Sequence, residues 1–256
     1  MLIQWRRYWD IIYYRTYAEL KAEAQVRYLG YILWLLDPLI NTVLFYVILL
    51  ALNQSTTEAV TFLLTGSIIW QWSATCFISA TTSIFDAGEM LKYVYLPKVV
   101  LPLISILSNT WRFLFIFALL LIWCWCSGHL PTPAYFALPI IMLLQLLIIV
   151  GLGLPLAAVM PYFPDARNVV DAVLRYMMLI SGIFFAADKL PETYRFYFHL
   201  NPLAVLIEAY RDVLMKGIWP NWFHLGYVAL FGWVAVSGSI WIYKRIDLSI
   251  IKAIHR

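Results

Sequence analysis

An all-α integral membrane fold with about six transmembrane helices is predicted by three features of this chain. Of its 256 residues, 63% are hydrophobic and only 12% charged, and the mean hydropathy is +0.80. An ordinary soluble domain carries about 45–50% apolar and about 25% charged residues, so this chain has too few charges to wet a globular surface. Second, the apolar residues gather into stretches long enough to cross roughly 30 Å of hydrocarbon as helix. They fall near residues 31–52, 59–81, 99–126, 134–160, 169–187 and 222–243. Third, Lys and Arg are distributed unevenly between the flanks of these stretches.

Arg6, Arg7, Arg15, Lys21 and Arg27 precede the first stretch, Lys92 and Lys98 join the second to the third, Arg167 joins the fourth to the fifth, and Lys244, Arg245, Lys252 and Arg256 follow the last. The opposite side holds only Lys189, Arg195, Arg211 and Lys216, all in one long connection. An even number of spans with this bias places both termini in the cytoplasm. The N-terminus lacks the short apolar core of a cleavable signal, so the first span is expected to serve as the insertion signal. A net charge of +4 without any block of like charges argues against a nucleic-acid partner.

Upstream of the first stretch, Leu2, Trp5, Trp9, Ile12, Tyr13, Thr16 and Leu20 recur at helical spacing, with Arg7, Asp10, Tyr14, Lys21 and Gln25 on the other face. Residues 1–29 therefore read as an amphipathic helix lying in the cytoplasmic interface, either an anchor or a gate. Trp5, Arg6, Arg7 and Trp9 would sit at headgroup depth, where an indole is apolar over its ring and polar at its N–H.

Residues 82–98 form a short cytoplasmic connection in which Asp86, Glu89 and Lys92 are mixed with Met90, Leu91 and Tyr93. A solvated turn has no use for such large apolar groups. They suit a small helix that docks on a cytoplasmic partner, or one packed on the ends of its own spans.

In residues 188–217, Asp188 or a neighbour can cap a helix with Pro191 and Glu192 in its first turn. Asn201-Pro202 supplies a second cap with a first-turn proline, and Lys216-Gly217 a stop. Each helix is too short to span, so the pair is expected to lie on, or dip into, the outer face before the last span. Neither a repeat nor a linker divides residues 30–256, which read as one membrane domain.

The chain carries no glycine-rich phosphate loop ending in Lys-Ser/Thr, so it is not expected to hydrolyse ATP. It has no His-Glu-x-x-His helix, paired-cysteine zinc site or nucleophile elbow, and no catalytic or metal residue is assigned. His129, His199, His224 and His255 are scattered through flanks and loops, and Cys76, Cys124 and Cys126 read as packing residues. Arg112 is the charge deepest within a span, placed either to touch a polar substrate or to pair with a neighbouring helix. Asp171 and Arg175 stand four apart, as an intrahelical pair does. Buried carboxylates of the kind that ion-driven transporters use are almost absent from the span interiors. Aromatic residues abound instead, notably Tyr31, Trp34, Tyr46, Trp70, Trp72, Phe184 and Phe185. Their faces can pack on the C–H faces of sugar rings without fixing register, and they equally suit helix packing and interface belts.

Five segments, taken in order, resemble the permease subunits of ABC-2 type polysaccharide exporters, which carry O-antigen or, in close relatives, capsule. They are Arg27-Tyr28-Leu29-Gly30-Tyr31 with Trp34-Leu35-Leu36-Asp37-Pro38; Lys92-Tyr93-Val94-Tyr95-Leu96-Pro97-Lys98 with Leu101-Pro102; Tyr162-Phe163-Pro164-Asp165-Ala166-Arg167-Asn168-Val169-Val170; Ser181-Gly182-Ile183-Phe184-Phe185; and Leu190-Pro191 with Asn201-Pro202. Leu96 stands where the family commonly has an aromatic, and both cargoes fit. The resemblance implies a multi-pass protein of a bacterial inner membrane that works as a homodimer with two separate ATP-binding subunits, where ATP and Mg would bind. Its substrate would be a polysaccharide anchored on undecaprenyl pyrophosphate. It also implies a gate at Trp5, Arg6, Arg7 and Trp9, and coupling to the ATPase through Asp86, Glu89, Met90, Leu91, Lys92 and Tyr93. Sugar contacts would come from the channel aromatics and Arg112. The competing reading is a membrane-embedded enzyme acting on a lipid-linked sugar, with Arg112 or the external Glu192 and Arg195 at its site.

Overall fold

The computed structural model describes residues 11–18, 56–87, 97–163 and 165–254, with isolated positions between 21 and 50. Among the described residues every regular element is helical. The long elements are α1 (Thr57–Asp86), α2 (Val100–Cys126), α3 (Leu138–Val159), α4 (Ala166–Ile180) and α7 (Trp222–Ile254). Two short helices, α5 (Glu192–His199) and α6 (Pro202–Arg211), precede α7. Among the described residues four helices are long and apolar enough to cross a membrane, within Thr57–Asp86, Val100–Cys126, Pro133–Val159 and Trp222–Arg245. These coincide with four of the expected stretches to within a few residues, and the expected first span, 31–52, lies largely outside the described residues.

The centre of the bundle is α1, whose most apolar stretch is 78% buried against 22% for α7. Thr56 caps it by accepting from the Ala59 N–H at 3.1 Å. Its interior hydroxyls satisfy themselves one turn back: Thr65 donates to the Thr61 carbonyl, Ser67 to Leu63 and Thr81 to Phe77, each at 2.7 Å. A small polar side chain can thus lie among helices without an unmet donor.

α2 runs back along α1, with Trp72 stacked on Phe113 at a centroid distance of 4.1 Å. α3 returns beside both, and Gln145 donates to the Ile69 carbonyl at 3.0 Å and to Ser73 Oγ at 2.8 Å. α7 packs along α3, tied by Ser239 Oγ to the Gly151 carbonyl at 2.6 Å and by Tyr243 OH to the Leu154 carbonyl at 3.0 Å. One end of the bundle therefore gathers α5, α6 and the turn between α2 and α3, while the other carries the ends of α1 and α3 and the start of α2.

The fifth stretch departs from the expectation. α4 starts at Ala166 and stops at Ile180 after 15 residues, about 22 Å of helix, instead of running to Ala187. At Gly182 the chain adopts a left-handed conformation, φ 73°, which only glycine enters without strain. A Cβ there would also lie 2.6 Å from the Phe198 ring. The expected Asp171–Arg175 ion pair is present on α4.

The short helices follow their local signals closely. Pro191 precedes α5, which has no side-chain cap, so the cap expected of Asp188 is not made. The Asn201 side chain accepts from the Leu203 N–H at 3.0 Å, and Gly217 ends the following π turn in the left-handed region, φ 65°. The Asn201 amide also donates to Ser181 Oγ at 2.9 Å, linking α6 to the turn after α4. Asn201→Ala is expected to cost about 1–2 kcal/mol, read as a lower unfolding midpoint in detergent. Asn201→Asp, which keeps the cap acceptor but loses the donor, should cost less.

Residues 11–18 form a helix whose Ile12 packs on Val100 and Ile104 of α2, with Thr16 buried one turn on. Tyr14 faces outward as the spacing predicts. Tyr13, expected on the apolar face, is 65% exposed, because its direction lies a quarter-turn away from the Ile12–Thr16 contact line.

Candidate functional site

The N-terminal helix, α1 and α2 enclose a cleft of about 370 Å³ at the end of the bundle remote from α5 and α6. Ser79, Thr82, Ser83 and Asp86 recur at three- and four-residue spacing on one face of α1, and Ser105, Ser108, Asn109 and Arg112 do so on the facing side of α2. Arg15 lines it from the N-terminal helix. Within it, Arg112 Nη1 donates to Asn109 Oδ1 at 2.8 Å, and Asn109 Nδ2 to the Ser105 carbonyl at 2.9 Å. A polar surface buried among apolar helices is costly unless it meets polar matter. With two guanidiniums, one carboxylate and several hydroxyls, this wall suits a hydroxyl-rich or anionic group.

The second polar feature is at the opposite end. Arg211, the last residue of α6, is 6% exposed. Its guanidinium donates to the Gly182 carbonyl, to the Ile183 carbonyl at 2.8 Å and to the Phe62 carbonyl at 2.9 Å, and it lies 3.3 Å over the Phe62 ring. Burial lowers its pKa to about 9, against the raising pull of Glu208, which leaves it protonated at neutral pH. Gly66 makes room for it, since a Cβ at Gly66 would collide with Nη2. Sequence reading placed Arg211 merely among the outer charges. Its sole local sign was a cation inside the mainly apolar run of 203–214, whose other charges are Glu208 and Asp212.

The residues singled out from sequence separate spatially. Trp5, Arg6, Arg7, Trp9, Tyr31, Trp34, Glu89, Met90, Leu91, Lys92 and Tyr93 lie outside the described residues. Asp86 and Arg112 both line the polar cleft, at different levels along α1 and α2. Trp70 and Trp72 are 4% and 3% exposed, and Trp72 is occupied by Phe113 and by its Nε1 bond to Thr110 Oγ1 at 3.3 Å, so both face the chain's own core. Phe184 and Phe185 are half-buried in the turn after α4, Phe185 beside Phe198, and Tyr46 is half-buried. Glu192 is exposed on α5, and Arg195 is tied to the Leu190 and Asp188 carbonyls at 3.0 and 2.7 Å, which leaves no acid–base pair there.

Comparison with known proteins agrees with this architecture. The chain is 24% identical over 242 residues to the O-antigen export system permease protein RfbA of Klebsiella pneumoniae, covering 93% of this chain and 92% of that one. To the Myxococcus xanthus protein of the same name it is 24% identical over 207 residues, 79% of each chain. It is 30% identical over 109 residues to the polysialic acid transport protein KpsM of Escherichia coli, 42% of each chain. The model of the ABC-2 type transporter family matches residues 13–215, a span that takes in the cleft, the Arg211 pin and both short helices: the chain belongs to the ABC-2 type transporter family.

Proposed function

We propose that this chain is the permease subunit of an ABC transporter that exports a lipid-linked polysaccharide, O-antigen in the first instance and capsule as the nearest alternative. The observation that carries this reading is the alignment with an O-antigen export permease over almost the full length of both proteins. The missing phosphate loop fits it, since the chain needs ATP-binding partners, two of them, to hold ATP and Mg. We take the protein to have six spans, the first within 31–52, and both termini in the cytoplasm of a bacterial inner membrane. The charge bias supports that orientation. On the outer side Arg211 is consumed by internal carbonyls, and Lys216 is engaged by Asp212 at 2.8 Å.

In this reading residues 82–98 transmit the ATPase stroke, and Asp86 sits where that segment meets the polar cleft. The amphipathic N-terminal helix, with Trp5, Arg6, Arg7 and Trp9, gates the cytoplasmic side, supported by the packing of Ile12 on the start of α2. Arg112 contacts the polar end of the substrate. α4 exposes Val169, Val173, Tyr176 and Ile180 along one face, which suits the seam of a homodimer. Tyr31, Trp34, Tyr46, Phe184 and Phe185 remain the channel aromatics, whereas Trp70 and Trp72 belong to packing.

Deleting the gene should leave polymer accumulating inside the cell, and an ATPase should co-purify whose activity rises with lipid-linked polymer. Normal surface polysaccharide in the deletion strain would sink the proposal. Turnover of a lipid-linked sugar by the purified chain alone would favour the enzyme reading.

A further inference from the structure

Three side chains from three different helices converge at the outer end of the bundle. His199 is the last residue of α5, Glu208 lies in α6, and His224 is in the first turn of α7. One ligand atom from each falls within 4.8 Å of the others, and all three are half-buried. They line a cavity of about 280 Å³ that gives access from outside.

The hydrogen bonds determine which imidazole nitrogen is available. His199 Nδ1 lies 2.8 Å from the Arg195 carbonyl oxygen, which can only accept, so Nδ1 carries the hydrogen. A neutral His199 then presents the lone pair of Nε2, and Nε2 sits 3.0 Å from Glu208 Oε2. Two lone pairs facing each other require a positive centre. A proton on Nε2 would supply one, yet the His224 ring stands 4.3 Å from the His199 ring, tilted by 34°. A second imidazole adds nothing to a simple His–Glu ion pair, whereas beside a metal it is a third ligand. The backbone carbonyl on the far nitrogen is the support that metal-bound histidines usually have. Two cations line the same cavity: Lys216 is held by Asp212 at 2.8 Å and Asp188 at 3.9 Å, and Arg195 by the Leu190 and Asp188 carbonyls at 3.0 and 2.7 Å.

We propose that His199 Nε2, the Glu208 carboxylate and a ring nitrogen of His224 bind a divalent transition metal of the zinc class, with a fourth position open to the cavity. Two imidazoles and one carboxylate select Zn²⁺ over Mg²⁺ or Ca²⁺. Tetrahedral bonds of about 2.0–2.1 Å set ligand atoms about 3.4 Å apart, which side-chain rotations of roughly an ångström reach from the present positions. A bound ion would join α5 and α6 to the last span, so that the outer helices and α7 move as one piece. The site is independent of what the protein transports.

The test uses the full-length protein in detergent, stripped with chelator and titrated with Zn²⁺. One Zn²⁺ per chain is expected, together with a rise in the unfolding midpoint, and Co²⁺ in its place should give a tetrahedral visible spectrum. His224→Ala should leave the metal-free midpoint unchanged, weaken Zn²⁺ binding by at least about 100-fold and abolish both responses. Failure of Zn²⁺ to bind, an equal response in His224→Ala, or an equal response to Mg²⁺ would each overturn the proposal.

Discussion

Replacing Arg211 with Ala is expected to destabilise the protein by about 3–5 kcal/mol, the largest effect of any single truncation at the outer end. The guanidinium is the donor that the Gly182 and Ile183 carbonyls meet after α4 ends, and it also reaches the second turn of α1 through the Phe62 carbonyl. Removing it leaves those carbonyls buried and short of a donor, at about 1–3 kcal/mol for each group stranded. It also loosens the turn that stops α4, because the guanidinium ties α6, that turn and α1 at one point. Thermal unfolding in detergent should show a midpoint lower by on the order of 10 °C. Arg211→Lys should recover only part of this, since a single ammonium cannot reach three carbonyls as the planar fork does. An unchanged midpoint in Arg211→Ala would remove the pin from the account of the fold.

The second large effect belongs to the crossing of α3 and α7. A Cβ at Gly151 would lie 2.7 Å from Ala235 Cβ and 3.0 Å from the Val236 backbone nitrogen, and one at Gly232 would lie 2.9 Å from Leu147 Cδ2. Gly232, Ala235 and Ser239 recur at helical spacing, so α7 presents one face of small residues to α3. In a membrane such faces are what bring helices together, because lipid is as apolar as the side chains and only close van der Waals contact and hydrogen bonds distinguish the packed state. Gly151→Val places its branch against backbone that cannot yield, and we expect a loss of about 3 kcal/mol. The Ser239 bond to the Gly151 carbonyl should lengthen with it. Pairing Gly151→Val with Ala235→Gly should restore part of the stability in a double-mutant cycle, since it removes the Ala235 Cβ contact and leaves the backbone contacts. A double variant no better than the single one would show that the crossing contact is not the cause.

What the amino-acid sequence determined by itself is what local chemistry and composition can carry. The low charge and the long apolar runs establish a membrane protein, and the runs near 59–81, 99–126, 134–160 and 222–243 place four spans to within a few residues. Asn201-Pro202 and Gly217 mark the start and stop of the α6 segment, because a cap or a left-handed glycine acts within a single turn. The direction in which each apolar helix faces was not legible. When lipid and protein interior are equally apolar, the periodicity that would mark an inward face fades, so Trp70 and Trp72 read as well for a channel as for a core. Only the packed structure turned both inward, met the carbonyls of Gly182 and Ile183 after α4 with the guanidinium of Arg211, and brought His199, Glu208 and His224 from three helices to one cavity. Those meetings join positions whose separation along the chain leaves no local trace, and the folding of α6 back over the end of the bundle creates them.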